Sequence, residues 1–222
     1  MELRPSLVTV RSPREVSGAV IVLHGGGARG EAVPVSATQL SVLRMVPMAR
    51  RIARTRGLAV HRLLNRQRGW GQGDTPVADA RWALAQVRDR YGEVPVVLVG
   101  HSLGGRAALL ASTETAVAGA VLLNAYLLPG DETIDPAGRR LLFVHGTEDR
   151  VASFRTAEAA AARLARRTDV GFLTVTGGKH AMLRHGRIFD GAAADFAAGV
   201  LRGDPVSGAV GRILAGESPV VV

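Results

Sequence analysis

Val97-Leu98-Val99-Gly100-His101-Ser102-Leu103-Gly104-Gly105-Arg106-Ala107-Ala108 is the stretch whose reading decides the fold. An apolar run of β type, Val94 to Val99, ends at Gly100, and a helical run opens at Leu103. Ser102 sits in the joint, giving Gly-x-Ser-x-Gly between a strand and a helix. A turn this sharp crowds the backbone against its neighbours, and Gly100 and Gly104, lacking Cβ, remove the clash. The serine hydroxyl is then pushed out at the carboxyl end of the strand. The helix N-terminus beneath it offers unpaired N–H groups and a positive dipole end.

Working outward toward the amino end, Gly18 to Leu23 is a continuous apolar run of the kind found in buried parallel strands. It ends in His24-Gly25-Gly26-Gly27, where a glycine-rich backbone can approach a ligand and turn its N–H groups inward. Leu7 to Val10 reads as a short edge strand. Gln39 to Arg56 reads as an amphipathic helix kinked by Pro47 and stopped by Gly57, and Leu58 to Leu64 as another strand. The loop from Asn65 to Asp74 carries Trp70, placed either to line a pocket or to cover the sheet edge. Thr75 and Pro76 supply an N-cap and a first-turn proline for a helix ending at Gly92. Val77, Ala80, Leu84, Val87 and Tyr91 form its buried face.

Toward the carboxyl end, Ala118 to Leu123 is a strand, followed by a connection from Asn124 to Arg139. Leu141 to Val144 is a strand ending in His145-Gly146-Thr147-Glu148-Asp149-Arg150. Ser153 caps an alanine-rich helix running to about Arg167. Val170 to Val175 is the last strand read, and it ends in Thr176-Gly177-Gly178-Lys179-His180. A final helix runs from about Leu183 to Leu201. Strands alternating with helices predict an α/β fold, a mostly parallel central sheet with helices on both faces. Residues 1–202 form one such domain, and residues 203–222 are a tail to which the sequence assigns no structure.

Composition narrows the function. The 222 residues are 47% hydrophobic, ample for a core, and contain no cysteine, which excludes disulfides and cysteine-ligated zinc. Lys179 is the only lysine, so the net charge of +9 is almost all arginine. Aromatic residues are 4% of the chain and are not interleaved with the arginine clusters, which argues against a stacking platform for nucleic acid. The arginines read as solvated surface. No run approaches the ~20 apolar residues of a membrane span. The first residues hold an acid and a proline where a secretion signal needs an apolar core. The expectation is a soluble cytoplasmic protein.

Four strand-end loops carry polar chemistry, and alternating βα units bring such loops to one rim of the sheet. Ser102, Asp149 and His180 occur in the chain order of a nucleophile, an orienting acid and a base on an elbow of this type. His180 can take the serine proton and return it to a leaving group, while Asp149 fixes the imidazole tautomer. The Leu103 N–H, with one from Gly26 or Gly27, would receive an oxyanion. His185 competes with His180 for the base, and Glu148 with Asp149 for the acid, with Asp131 and Asp135 weaker. His24, Trp70, Tyr126 and Leu127 are candidates for a substrate pocket.

On His24-Gly25-Gly26-Gly27, Gly100 to Gly105, His145 to Asp149 and Gly178-Lys179-His180, the sequence resembles the α/β-hydrolase superfamily over roughly Val20 to Val200. The resemblance implies a serine esterase, lipase, thioesterase or related acyl hydrolase working through an acyl-enzyme, without cofactor or metal. The reading adopted is a small lidless carboxylic-ester hydrolase. The alternative is a biosynthetic thioesterase, cyclase or acyl-transfer enzyme whose arginine surface meets an acidic carrier protein. Two departures stand out. Too few residues precede the first central strand for the full antiparallel pair that usually opens this fold. The Asn124–Arg139 connection is also too short for a cap domain, which predicts an open site.

Overall fold

The computed structural model describes residues 3–26, 33–70 and 74–222. Its elements are β1 (Ser6–Arg11), β2 (Gly18–Leu23), α1 (Leu40–Leu43), α2 (Met45–Ile52), β3 (Leu58–Leu64), α3 (Thr75–Tyr91), β4 (Val96–His101) and α4 (Leu103–Leu110). They continue as β5 (Val117–Leu123), β6 (Arg140–Gly146), α5 (Phe154–Leu164), β7 (Asp169–Val175), α6 (Gly186–Arg202), α7 (Gly208–Leu214) and β8 (Val220–Val221). Among the described residues the strands form one sheet in the order β1-β3-β2-β4-β5-β6-β7-β8. Only β1, which runs against β3, is antiparallel.

This order positions the site. From β2 the chain steps outward to β3, and from β4 it steps the other way to β5. The strand order therefore reverses between β2 and β4, and a crevice opens at their carboxyl ends. The loop after β2 and the serine turn after β4 flank that crevice.

Both central strands are buried at every position, which is why they read as unbroken apolar runs. Their side chains alternate between two cores. Ala19, Ile21, Leu23 and Leu98 face α3, α4 and α5, whereas Val20, Val22, Val97 and Val99 face α2, α6 and α7.

The structure differs from the sequence reading in three places. The helix expected over 39–56 is broken at Arg44 into α1 and α2, and the ordered helix stops at Ile52. Pro47, in the first turn of α2, has no N–H to give the Leu43 carbonyl, so a single continuous helix is disfavoured. The N-cap of α3 is Asp74 rather than Thr75, with Pro76 still in the first turn. Finally, β7 is not the last strand. The tail packs back through α7, whose Val210 and Ile213 are buried, and β8 extends the sheet parallel to β7 with Val220 opposite Leu173. A two-residue strand and a glycine-flanked helix carry too little periodicity to be seen in sequence.

The connection from Asn124 to Arg139 contains one short 3-10 turn, Asp131–Thr133, and no cap domain. Much of the arginine content is distributed in ion pairs over the body. Arg44 meets Asp190 at 3.1 Å, Arg66 meets the buried Asp79 at 2.6 Å, and Arg81 meets Glu114 at 2.7 Å. Among the described residues no helix is long and apolar enough to cross a membrane.

Candidate active site

Ser102 occupies the joint between β4 and α4 with φ +55° and ψ −119°, a region an L-residue adopts only when its surroundings impose it. Three backbone hydrogen bonds impose it here. The Ser102 N–H donates to the Leu123 carbonyl at 3.0 Å, and the Ser102 carbonyl accepts from Tyr126 at 3.1 Å and Arg106 at 3.2 Å. The turn also needs two bare backbones. A Cβ on Gly100 would lie 2.1 Å from the Gly104 carbonyl oxygen, and one on Gly104 would lie 2.5 Å from that of His24. The Gly-x-Ser-x-Gly spacing is thus a packing requirement of the elbow.

The loops after β6 and β7 converge on this serine. Gly146 and Gly178 touch backbone to backbone, since a Cβ on Gly146 would meet the Gly178 carbonyl at 2.2 Å. The Glu148 N–H donates to that same carbonyl at 2.9 Å. Asp149 and His180 are delivered side by side as a result. His180 Nδ1 lies 2.8 Å from Asp149 Oδ2, and His180 Nε2 lies 3.0 Å from Ser102 Oγ. A carboxylate can only accept, so Nδ1 carries the proton and Nε2 is left to accept from the serine hydroxyl.

The buried Asp149 is held from both sides. Its Oδ1 accepts from the N–H groups of Val151 at 2.8 Å and Ala152 at 2.9 Å. Burial alone would raise this carboxyl. The hydrogen bonds from His180, Ala152 and Val151 outweigh it and hold the group below the usual carboxylate range. An anion therefore faces the imidazole at neutral pH and can stabilise an imidazolium.

The rival residues lie elsewhere. Exposed Glu148 points toward Lys179, at 3.7 Å. His185 caps the start of α6 and, among the described residues, bonds to neither Ser102 nor Asp149. Asp131 accepts from Arg106 at 2.7 and 3.0 Å and from the Leu128 N–H at 2.7 Å, and Asp135 accepts from Ala137.

Leu103 opens α4, so its N–H has no intrahelical partner. Among the described residues neither it nor the Gly26 N–H donates a backbone hydrogen bond. A Cβ on Gly26 would fall 1.9 Å from the Arg68 carbonyl, so only glycine fits there. Gly27 lies outside the described residues.

The four pocket candidates are placed as follows. His24 is buried and engaged with its own surroundings, its Nδ1 2.6 Å from the Gly25 carbonyl and its Nε2 accepting from the Asn65 N–H at 3.2 Å. Burial lowers its pKa. Trp70 is buried with its ring against the Arg106 guanidinium, 4.0 Å away. Arg106 is thus clasped between Trp70 and Asp131, one turn below the serine. Tyr126, just past β5, is partly buried and bonds through its N–H to the Ser102 carbonyl, while Leu127 is buried in the core beside it.

Sequence reasoning missed three neighbours of the trio. His101 Nε2 lies 2.8 Å from the His180 carbonyl. Asn124 donates through Nδ2 to the carbonyls of Lys179 at 3.1 Å and His180 at 3.2 Å. His145, fully buried, has Nε2 3.1 Å from the Ala152 carbonyl and 3.6 Å from Asp149 Oδ2. The only sequence sign of them is their place at strand ends. Among the described residues, no three His, Cys, Asp or Glu side chains converge as metal ligands.

An alpha/beta hydrolase family model matches residues 80–188, from α3 through the His180 loop. No curated protein matches the chain. The fold recurs in solved structures at low identity. A putative α/β hydrolase of unknown function from Agrobacterium tumefaciens is 19% identical with a TM-score of 0.67, over 91% of this chain and 94% of that one. A thermophilic esterase from Thermogutta terrifontis, solved with propionate, is 18% identical with a TM-score of 0.67, over 87% and 88%. Est1E from Butyrivibrio proteoclasticus, solved with ferulic acid, is 15% identical with a TM-score of 0.63, over 89% and 95%. The chain has the α/β-hydrolase fold.

Proposed function

We propose that this chain, which belongs to the α/β-hydrolase superfamily, cleaves carboxylic esters through an acyl-enzyme formed on Ser102. The observation that carries the reading is the unbroken relay from Ser102 through His180 to Asp149, at 3.0 and 2.8 Å, at the switch point of the sheet. Ser102 Oγ attacks the ester carbonyl carbon as His180 Nε2 takes its proton. The tetrahedral oxyanion is received by the N–H groups of Leu103 and of Gly26 or Gly27. One such donor contributes about 2.7–4 kcal/mol to a transition state of this kind. His180 then protonates the departing alcohol. A water molecule, activated by the same imidazole, hydrolyses the acyl-Ser102 ester and restores the serine.

The short Asn124–Arg139 connection carries no cap domain, which supports esters presented from solution and cleaved without a lid-opening step, and short or medium acyl esters are the substrates of this reading. That one of the three solved structures of similar fold is named an esterase and another a putative α/β hydrolase adds support by analogy of fold. The test is hydrolysis of p-nitrophenyl esters from acetyl to decanoyl, with Ser102→Ala as control. The expected result is a serine-dependent rate with a clear chain-length optimum. A folded wild type no faster than the Ser102→Ala variant across the series contradicts the reading.

A further inference from the structure

The ring of His180 is bonded by Ser102 and Asp149, and its backbone carbonyl is bonded by two further residues, His101 and Asn124, the first of which also packs its ring on the imidazole with centroids 4.9 Å apart. The His180 carbonyl receives His101 Nε2 at 2.8 Å and Asn124 Nδ2 at 3.2 Å. A carbonyl can only accept, so His101 donates through Nε2–H and its Nδ1 is bare. That Nδ1 is buried with no partner among the described residues. An unsatisfied buried nitrogen costs free energy, and the 2.8 Å bond of Nε2 is the one hydrogen bond the ring makes among the described residues. Burial beside His180 lowers the His101 pKa to about 3, so it keeps the neutral form that leaves this geometry intact.

Asn124 adds a second constraint. Its amide is spent in both directions: Nδ2 binds the Lys179 and His180 carbonyls, and Oδ1 accepts the Gly146 N–H at 2.9 Å. One side chain therefore ties the end of β6, which leads to Asp149, to the loop that carries His180. The residue sits at φ +42°, a conformation that costs less for asparagine than for most side chains.

We propose that His101 and Asn124 are positioning residues that clamp the His180 carbonyl and so set the imidazole between Ser102 and Asp149. The inference rests on the triad reading. Misplacing a reacting group by about 1 Å costs roughly 100-fold in rate, so a clamp made of two donors is worth having.

The test uses full-length His101→Ala, His101→Gln and Asn124→Gly. Glutamine restores an N–H donor, and glycine tolerates the positive φ at 124, so neither variant confounds the clamp with backbone strain. Two readouts are taken. The first is kcat and KM on the best ester of the series. The second is the downfield proton resonance of His180 Nδ1–H bonded to Asp149, which needs no substrate. His101→Ala and Asn124→Gly should each lower kcat by roughly 10- to 100-fold with KM little changed, and should broaden or abolish the resonance. His101→Gln should recover most of both. Wild-type kcat and an intact resonance in folded His101→Ala and Asn124→Gly overturn the clamp, as does a loss that His101→Gln fails to restore. A wild type with the resonance but no serine-dependent turnover contradicts the esterase reading alone, and the resonance in the variants still decides the clamp.

Discussion

The serine elbow and the histidine loop meet within one hydrogen bond, yet they are built in opposite ways. The Ser102 turn is shaped by its own neighbours, since Gly100 and Gly104 make room and the Arg106 N–H closes the first turn of α4 beneath it, and among the described residues it is pinned from outside only at Leu123 and Tyr126, at the end of β5. His180 is positioned by residues far away in sequence, with His101 79 positions before it and Asn124 56. The elbow takes its shape from spacing along the chain, and its outside contacts are with backbone atoms of the neighbouring strand ends. The histidine loop is an agreement among three strand ends that exists only once the sheet has assembled. Damage to the elbow should therefore appear as lost stability together with lost turnover, while damage around the histidine should appear as lost rate in a folded protein.

The largest effect that sharpens this contrast is expected at Asp149. Asp149→Asn removes the charge opposite the imidazole and places an amide where a proton acceptor is needed, inviting the wrong tautomer. We expect kcat to fall by roughly 10,000-fold with the melting temperature nearly retained. A fall below tenfold would show that His180 is oriented without Asp149.

Next is Gly104→Ala, at the elbow. The added Cβ would press on the carbonyls of Leu23 and His24 at 2.6 and 2.5 Å, both backbone atoms of a central strand end. A cost of about 1–3 kcal/mol is expected, read as a lower urea midpoint together with reduced turnover. Full activity at unchanged stability would break the claim that the elbow is a close-packed local geometry.

The smallest effect is on pH dependence. Burial lowers the pKa of His24, His61, His101 and His145, to about 4 for His61 and about 3 for His101. In the unfolded chain each titrates near 6.5. Below that value the unfolded state binds more protons than the folded one, so stability is full above about pH 6.5 and is lost as the pH falls toward 4 and then 3. Urea unfolding between pH 8 and pH 4 should show the decline, and His101→Gln should flatten it. A pH-independent midpoint across this range would mean that these rings are not held neutral.

The same contrast explains what the sequence made legible. The elbow, the buried strands β2 and β4, and the Ser153 cap of α5, which accepts from the Thr156 N–H at 3.2 Å, follow from local spacing and apolar runs. The strand ends bearing Asp149 and His180 could be read because glycines mark them. His101 and Asn124 could not, because their partners are fixed by sheet pairing rather than by neighbours in the chain. Asp79 was hidden for the same reason: it lies within the helical run of α3, and only the arrival of Arg66 from the end of β3 makes its burial tolerable. The tail escaped because the pairing of β8 with β7 contributes only two residues to the sheet.

The most direct measurement is mass analysis of the protein after exposure to a fluorophosphonate, with His180→Ala treated in parallel. The account predicts one stoichiometric adduct on the peptide containing Ser102, forming far more slowly in His180→Ala. A folded wild type that takes up no adduct, or takes it up on another serine, would contradict the claim that Ser102, His180 and Asp149 form a working nucleophile.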